Sequence, residues 1–152
     1  MYLLDTNHCS QIIGADPNVI KKLQQNSSQG VGISAITRGE LIFMVEKSER
    51  VKENYDNFSP FLDNINTYLI DNDISDCYGK LKAKILKHFG PKDKKQARNT
   101  TVQKLGFSDN DLWIAATAIS YNLTLVSADS DFVRIQEVQA LILENWCSGS
   151  TK

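Results

Sequence analysis

The sequence predicts an α/β protein with a central parallel sheet of about five strands, and three observations carry that reading. Short apolar runs without polar alternation recur along the chain, as buried parallel strands require. Longer stretches of helical period lie between them, each opened by a capping residue. Strand and helix alternate, which places helices on both faces of one sheet.

Taken in order, Tyr2-Leu3-Leu4 forms the first strand and stops at Asp5. Asp16-Pro17 opens a helix with a capping carboxylate and a first-turn proline, and the helix continues through Val19, Ile20 and Leu23. Val31-Gly32-Ile33 is the second strand, after which Ser34 caps a helix carrying Ile36, Leu41, Met44 and Val45. Residues 47–66 read as a further helix, a small excursion, and residues 67–70 as the third strand. Asp76 is expected to cap the next helix, with Tyr78, Leu81, Ile85 and Phe89 near one face and Gly90-Pro91 at its end. Residues 90–107 lack a clear period and read as an inserted, mobile, basic loop with some helical character around 94–105. Ser108-Asp109-Asn110-Asp111 starts a helix that is apolar nearly all round from Leu112 to Ile119, which marks it as buried. Residues 124–126 and 140–143 supply the last two strands, with a short helix through Phe132 and Ile135 between them. No repeat or linker divides the chain, so residues 1–147 are expected to form one domain, with 148–152 as a flexible tail.

Composition excludes several classes. Hydrophobic residues make up 41% and charged residues 23%, ordinary for a globular protein. Cys9, Cys77 and Cys147 are an odd set without a C-x-x-C pair, which argues against a zinc knuckle or a disulfide framework and suits a reducing cytoplasm. The opening residues reach a carboxylate at position 5, so no signal peptide fits, and no apolar run approaches a membrane span. The expected location is cytoplasmic. The net charge of −1 hides an asymmetry: from Lys80 to Lys104 nine basic residues face only Asp93, a local +8 that leaves −9 for the rest. A basic stretch on an acidic body suits holding a polyanion against something that binds cations. The same run also reads as a solvated lysine-rich helix and loop.

The acids decide the chemistry. In an open parallel sheet, ligands bind beyond the carboxyl ends of the strands, near the point where strand order reverses. Asp5 directly follows the first strand, and Asp129 comes three residues after Val126 at the end of a later one. Glu40 and Asp111 lie within the first two turns of helices that start at the same edge. Two bare carboxylates 4 Å apart repel by about 4 kcal/mol at an effective dielectric near 20, so such a group takes up a proton or a cation. Oxygen-only donors select Mg²⁺ or Mn²⁺. His8 and His88 are the only histidines, and nothing in the sequence pairs them. Each acid has a local alternative. Asp111 completes a Ser-x-x-Asp capping box with Ser108, Glu40 one with Thr37 unless Ser34 is the cap, and Asp129 and Asp131 could simply start the short helix. Asp5 is the hardest to explain locally.

Five segments together resemble a known family. Leu4-Asp5-Thr6-Asn7, Ile33-Ser34-Ala35-Ile36-Thr37-Arg38-Gly39-Glu40-Leu41, Asn110-Asp111-Leu112-Trp113-Ile114-Ala115-Ala116, residues 124–132 and Leu143-Glu144-Asn145-Trp146 match, in order, the motifs of PIN domains. Among these the chain is similar to the VapC-type toxins of bacterial toxin–antitoxin pairs. The resemblance implies a three-layer α/β/α fold and a Mg²⁺- or Mn²⁺-dependent endoribonuclease that cuts structured RNA such as tRNA. It also implies silencing by a small VapB-like antitoxin, and a homodimer. By this carry-over Asp5, Glu40, Asp111 and Asp129 are metal ligands, and Asn7 and Ser127, with Thr6, Asn110 and Asp131 beside them, are supporting polar groups. The insertion departs from the family pattern, and Asp131 leaves open which acid, 129 or 131, is the closer ligand. Lys92, Lys94, Lys95, Arg98 and Lys104 would then bind RNA phosphates.

Three rivals differ in what they demand. A phosphatase of the haloacid-dehalogenase type wants Asp-x-Asp-x-Thr after the first strand, where the third position here is Asn7. A phosphoacceptor domain could use Asp71 or Asp73 but wants a lysine after the last strand, and Glu144-Asn145-Trp146-Cys147 has none. A PIN-like module that binds RNA or a partner without catalysis would need none of the acids.

Overall fold

A computed structural model describes residues 1–147; the tail expected at 148–152 lies outside them. Strands β1 (Tyr2–Leu4), β2 (Val31–Ser34), β3 (Asn66–Tyr68), β4 (Thr124–Val126) and β5 (Leu143–Glu144) form one sheet in the order β3-β2-β1-β4-β5. Every pairing is parallel. The chain moves outward from β1 to β3 on one side and returns to the other side through β4, so strand order reverses at β1 and β4.

The pleat separates two cores. Leu3 and Leu125 point into one, formed with α5 (Asn72–Phe89), α7 (Asp109–Ser120) and α8 (Ser130–Ile135). Leu4 and Val126 point into the other, formed with α1 (Thr6–Ile13), α2 (Pro17–Asn26), α3 (Ala35–Glu46) and α4 (Val51–Asn64). This is the three-layer α/β/α arrangement of PIN domains. Helix α7 is buried from Leu112 to Ala118 apart from Trp113, as its all-round apolar character requires. No helix among the described residues is long and apolar enough to cross a membrane.

Several elements differ from expectation, each for a local reason. The segment after Asp5, to which the sequence assigns no element, is helical, and α1 begins at Thr6 because the Asp5 carboxylate accepts the His8 N–H at 2.7 Å. Helix α5 starts at Asn72 instead of near Asp76, capped by Asp71, whose carboxylate also accepts the Tyr121 hydroxyl at 2.5 Å. The helix read at 47–66 is shorter, and β3 ends at Tyr68, leaving Leu69 and Ile70 exposed beyond the sheet edge. The last strand is shifted from 140–143 to Leu143–Glu144, because Val138 and Gln139 still donate back to Ile135 at the end of α8.

Within the stretch 90–107, the helical character expected around 94–105 takes a definite form. Helix α6 (Lys94–Arg98) is capped by Asp93, and a 3-10 turn spans Gln103–Leu105. Val102 and Phe107 are buried in the core. The Arg134 guanidinium stacks 3.9 Å above the Phe107 ring and donates to the Leu105 carbonyl at 2.9 Å. The segment therefore leaves and re-enters the fold at anchored points.

Candidate active site

The four acids meet at the strand-order reversal. Asp5, Glu40, Asp111 and Asp129 line one cleft of about 260 Å³, together with Thr6, Asn7, Phe43, Met44, Ile114 and Phe132. Asp5 is there because it ends β1, and Asp129 because Ser127-Ala128-Asp129 follows β4. Glu40 lies in the second turn of α3 and Asp111 in the first turn of α7. A larger cleft of about 490 Å³ runs from Ala118 to Ile142 but has no ionisable side chain, so size does not mark the site.

Polar neighbours hold three of the acids in place. Asp5 is 4% exposed; one oxygen accepts the His8 N–H at 2.7 Å and lies 2.9 Å from the His8 ring, and the other accepts the Ser127 hydroxyl. Ser127 Oγ in turn accepts the Asp129 N–H at 3.0 Å. Glu40 accepts the Thr6 hydroxyl and, at 2.7 Å, the Asn110 amide. Ser34 caps α3 through the Thr37 N–H, so Glu40 has no capping work. Asp129 does cap α8, accepting the Asp131 N–H at 2.8 Å, while it still faces the cleft. Asp131 pairs with Arg134 at 3.0 Å and is absent from the cleft lining. Asn7 lines the cleft and is exposed.

Asp111 is the exception. Ser108 caps α7 through the Asn110 N–H at 3.2 Å, and the Asp111 side chain has no hydrogen-bond partner among the described residues, so no capping box forms. Burial, followed by the charges of Asp129, Glu40, Asp131 and Asp5, pushes its carboxyl from the ordinary 3.8 up to about 7. Burial first and the neighbouring negative charges second disfavour the ionised form, and a cation in the cleft would offset the second of these.

The donor set fits a hard divalent ion in chemistry and charge. Among the described residues no three His, Cys, Asp or Glu side chains already stand in position to hold one ion. Mg²⁺ tolerates that, because it keeps several waters and takes only one or two carboxylates directly. Asp71, a phosphoacceptor in the rival reading, is spent on the α5 cap, and that backbone bond first, then Tyr121, holds its carboxyl below the usual range.

Sequence reasoning passed over His8. It is wholly buried, against Asp5 on one side and Trp146 on the other. The available signal was its place three residues after a helix-capping aspartate.

Comparisons with known proteins agree with this geometry. The family profile described as the PIN domain matches residues 2–138. The chain is 32% identical to Ribonuclease VapC2 of Rickettsia felis, over 96% of its own length and 98% of that protein. It is 30% identical to Ribonuclease VapC2 of Haemophilus influenzae, over 95% and 97%. Among solved structures it is similar to the Rickettsia felis VapBC2 complex bound to a promoter DNA fragment (TM-score 0.76, 28% identity, 96% and 98% of the two chains). It is also similar to DNA-bound VapBC of Salmonella typhimurium (TM-score 0.77, 25% identity, 96% and 98%). The chain belongs to the PIN-domain family, among its VapC ribonucleases.

Proposed function

We propose that this chain is a Mg²⁺- or Mn²⁺-dependent endoribonuclease, the toxin of a toxin–antitoxin pair, acting on tRNA or other structured RNA. The observation that carries the reading is Asp111, an acid without a hydrogen-bond partner among the described residues, raised to about 7 among the carboxylates of one cleft. Asp5, Glu40, Asp111 and Asp129 are the residues that would hold the ion. When bound, the ion neutralises charge on a phosphodiester and activates water for hydrolysis. The chain's own work is to orient: Ser127 holds Asp5 and the Asp129 backbone, and Thr6 and Asn110 hold Glu40. Lys92, Lys94, Lys95 and Arg98 would supply positive charge to the RNA backbone, with Lys104 beside them.

The relatives named ribonucleases support RNA hydrolysis. Neighbours solved as VapBC complexes support a VapB-type antitoxin as partner, and a homodimer is the assembly we propose with it. The decisive experiment incubates the purified protein with total RNA in Mg²⁺, in Mn²⁺ and in EDTA, beside Asp5→Asn. Cutting is expected only with a divalent ion and only in the unsubstituted protein. Persistence in EDTA or in Asp5→Asn would refute the site, and RNA binding without cutting would make the chain a non-catalytic module.

A further inference from the structure

His8 is a wholly buried polar side chain at the third position of α1, three residues after the capping Asp5. In the usual capping box the third residue's side chain returns to the backbone N–H of the cap. Here that N–H is already given to the Val126 carbonyl at 3.1 Å, as part of the sheet. The His8 ring turns to the Asp5 carboxylate instead, with Nδ1 2.9 Å from Oδ1.

The other ring nitrogen settles the tautomer. Nε2 lies 3.3 Å from the Trp146 backbone nitrogen, a group that can only donate. Nε2 is therefore the acceptor, and Nδ1 carries the hydrogen aimed at Asp5. Cys147 Sγ, 3.3 Å from Nε2 and 3.0 Å from Gln11 Oε1, closes the same side of the ring. Asp5 Oδ1 then accepts two hydrogen bonds, the His8 N–H and the His8 ring, which fill its two lone pairs. Among the described residues Oδ2 accepts only the Ser127 hydroxyl and keeps one lone pair.

We propose that His8 is a positioning residue for the cleft: seated on the Trp146 backbone, its Nδ1–H locks Asp5 so that Oδ2 is the oxygen left to meet a cation. This rests on the metal-dependent reading above and adds to it the residue that orients the Asp5 ligand. The C-terminal strand edge thereby becomes part of the site, since Trp146 fixes which way the His8 ring is protonated. The ring lies outside the cleft lining and acts only through Asp5.

The test has a metal-binding arm and a spectroscopic arm. Mn²⁺ affinity is measured from the free-ion electron paramagnetic resonance signal for wild type, His8→Leu and His8→Asn; the asparagine keeps an N–H donor near the place of Nδ1. We expect His8→Leu to bind Mn²⁺ about tenfold or more weakly, and His8→Asn to stay within roughly threefold of wild type. Independently, long-range ¹H–¹⁵N correlation spectra of the metal-free wild-type protein should show His8 hydrogenated at Nδ1 and bare at Nε2. Equal affinity of His8→Leu and wild type overturns the proposal. So does equal loss in both variants, which would mean packing alone, or a ring hydrogenated at Nε2 instead, a result that does not depend on any variant folding. A wild type that binds no Mn²⁺ overturns the metal reading itself and this proposal with it, and that arm reports separately.

Discussion

Asp109 and Asp111 share the first turn of α7, one surrounded by donors and the other by acids. Asp109 accepts Lys82 Nζ at 2.7 Å, Tyr78 Oη at 2.6 Å and the Gln103 amide, while Tyr78 stacks on Trp113 at 3.8 Å. Its carboxyl is held below the usual range by Lys82 first and Tyr78 second. Asp111, two residues on, has no such partner and is pushed up to about 7. A helix turn offers the same local chemistry to both. The difference lies in what the rest of the fold brings: α5 and the 90–107 segment bring cations and amides to one, and three strand or helix ends bring carboxylates to the other. A satisfied charge is structural, whereas one left unsatisfied awaits a ligand.

Cleavage tests this contrast most severely. Asp111→Asn should lower single-turnover RNA cleavage at saturating Mn²⁺ on the order of 10²–10³-fold, as loss of a group that stabilises transition-state charge does. Asp109→Asn should stay within about tenfold, since it loses an anchor and no ligand. Equal losses would erase the distinction.

Stability should move the opposite way. Asp111 has a folded-state value raised above its unfolded one, so the native protein binds the extra proton between the two. Its contribution is most favourable below the ordinary 3.8 and is lost as pH rises through about 7. In EDTA at about pH 8, Asp111→Asn should therefore raise the unfolding free energy by roughly 2 kcal/mol, the full linkage being discounted for partial exposure. That gain should vanish near pH 4. Asp109 is shifted downward, so its stabilisation is present above the ordinary carboxylate range and is lost as pH falls through its lowered value. Asp109→Asn should cost about 0.5–1 kcal/mol near neutral pH, little because the pair is about a third exposed. Urea unfolding of both variants at the two pH values checks the signs, and a destabilised Asp111→Asn at high pH would contradict the cleft electrostatics.

Much of the fold was legible because its signals are local. Asp16-Pro17, Ser34 and Ser108 cap the helices they were expected to cap, and the apolar runs at 2–4, 31–33 and 124–126 are the three inner strands. What escaped was decided by distant partners. Helix α1 begins Thr-Asn-His-Cys-Ser, poor helix formers, and exists through the Asp5 cap and the burial of His8 and Cys9. Asp71 and Asp76 are equally good caps on paper, and Asp71, which also holds Tyr121 across 50 residues, is the one used. The acids were brought to one edge by strand ends that the sequence marks plainly. The separate status of Asp131 rests on Arg134, an i,i+3 partner that stands in the sequence; only the seat of that guanidinium on Phe107, far away in the chain, has no local signal.

The basic stretch divides along the same line as the two aspartates, and that division yields the mildest prediction. Lys82 is bound to Asp109, Lys84 to the Gln139 amide oxygen and Lys104 to the Asn99 carbonyl. Lys92, Lys94, Lys95 and Arg98 are exposed and have no side-chain partner among the described residues. Partnered groups order the segment: the Lys82 ammonium and the neutral Gln103 amide converge on Asp109, two residues from Asp111. Unpartnered cations are left to bind a polyanion. Replacing Lys92, Lys94 and Lys95 together with alanine should weaken RNA binding about tenfold at moderate salt and make the slope of log affinity against log salt shallower by about two to three, at roughly 0.7–0.9 per phosphate contact. Cleavage at saturating RNA should barely change, because phosphate contacts of this kind position the chain without touching the reacting bond. Lys82→Ala should do the reverse, leaving the salt slope nearly intact while loosening the anchor at Asp109. A salt slope unchanged in the triple variant would mean that these charges are only a solvated face, and RNA would have to be held elsewhere on the protein.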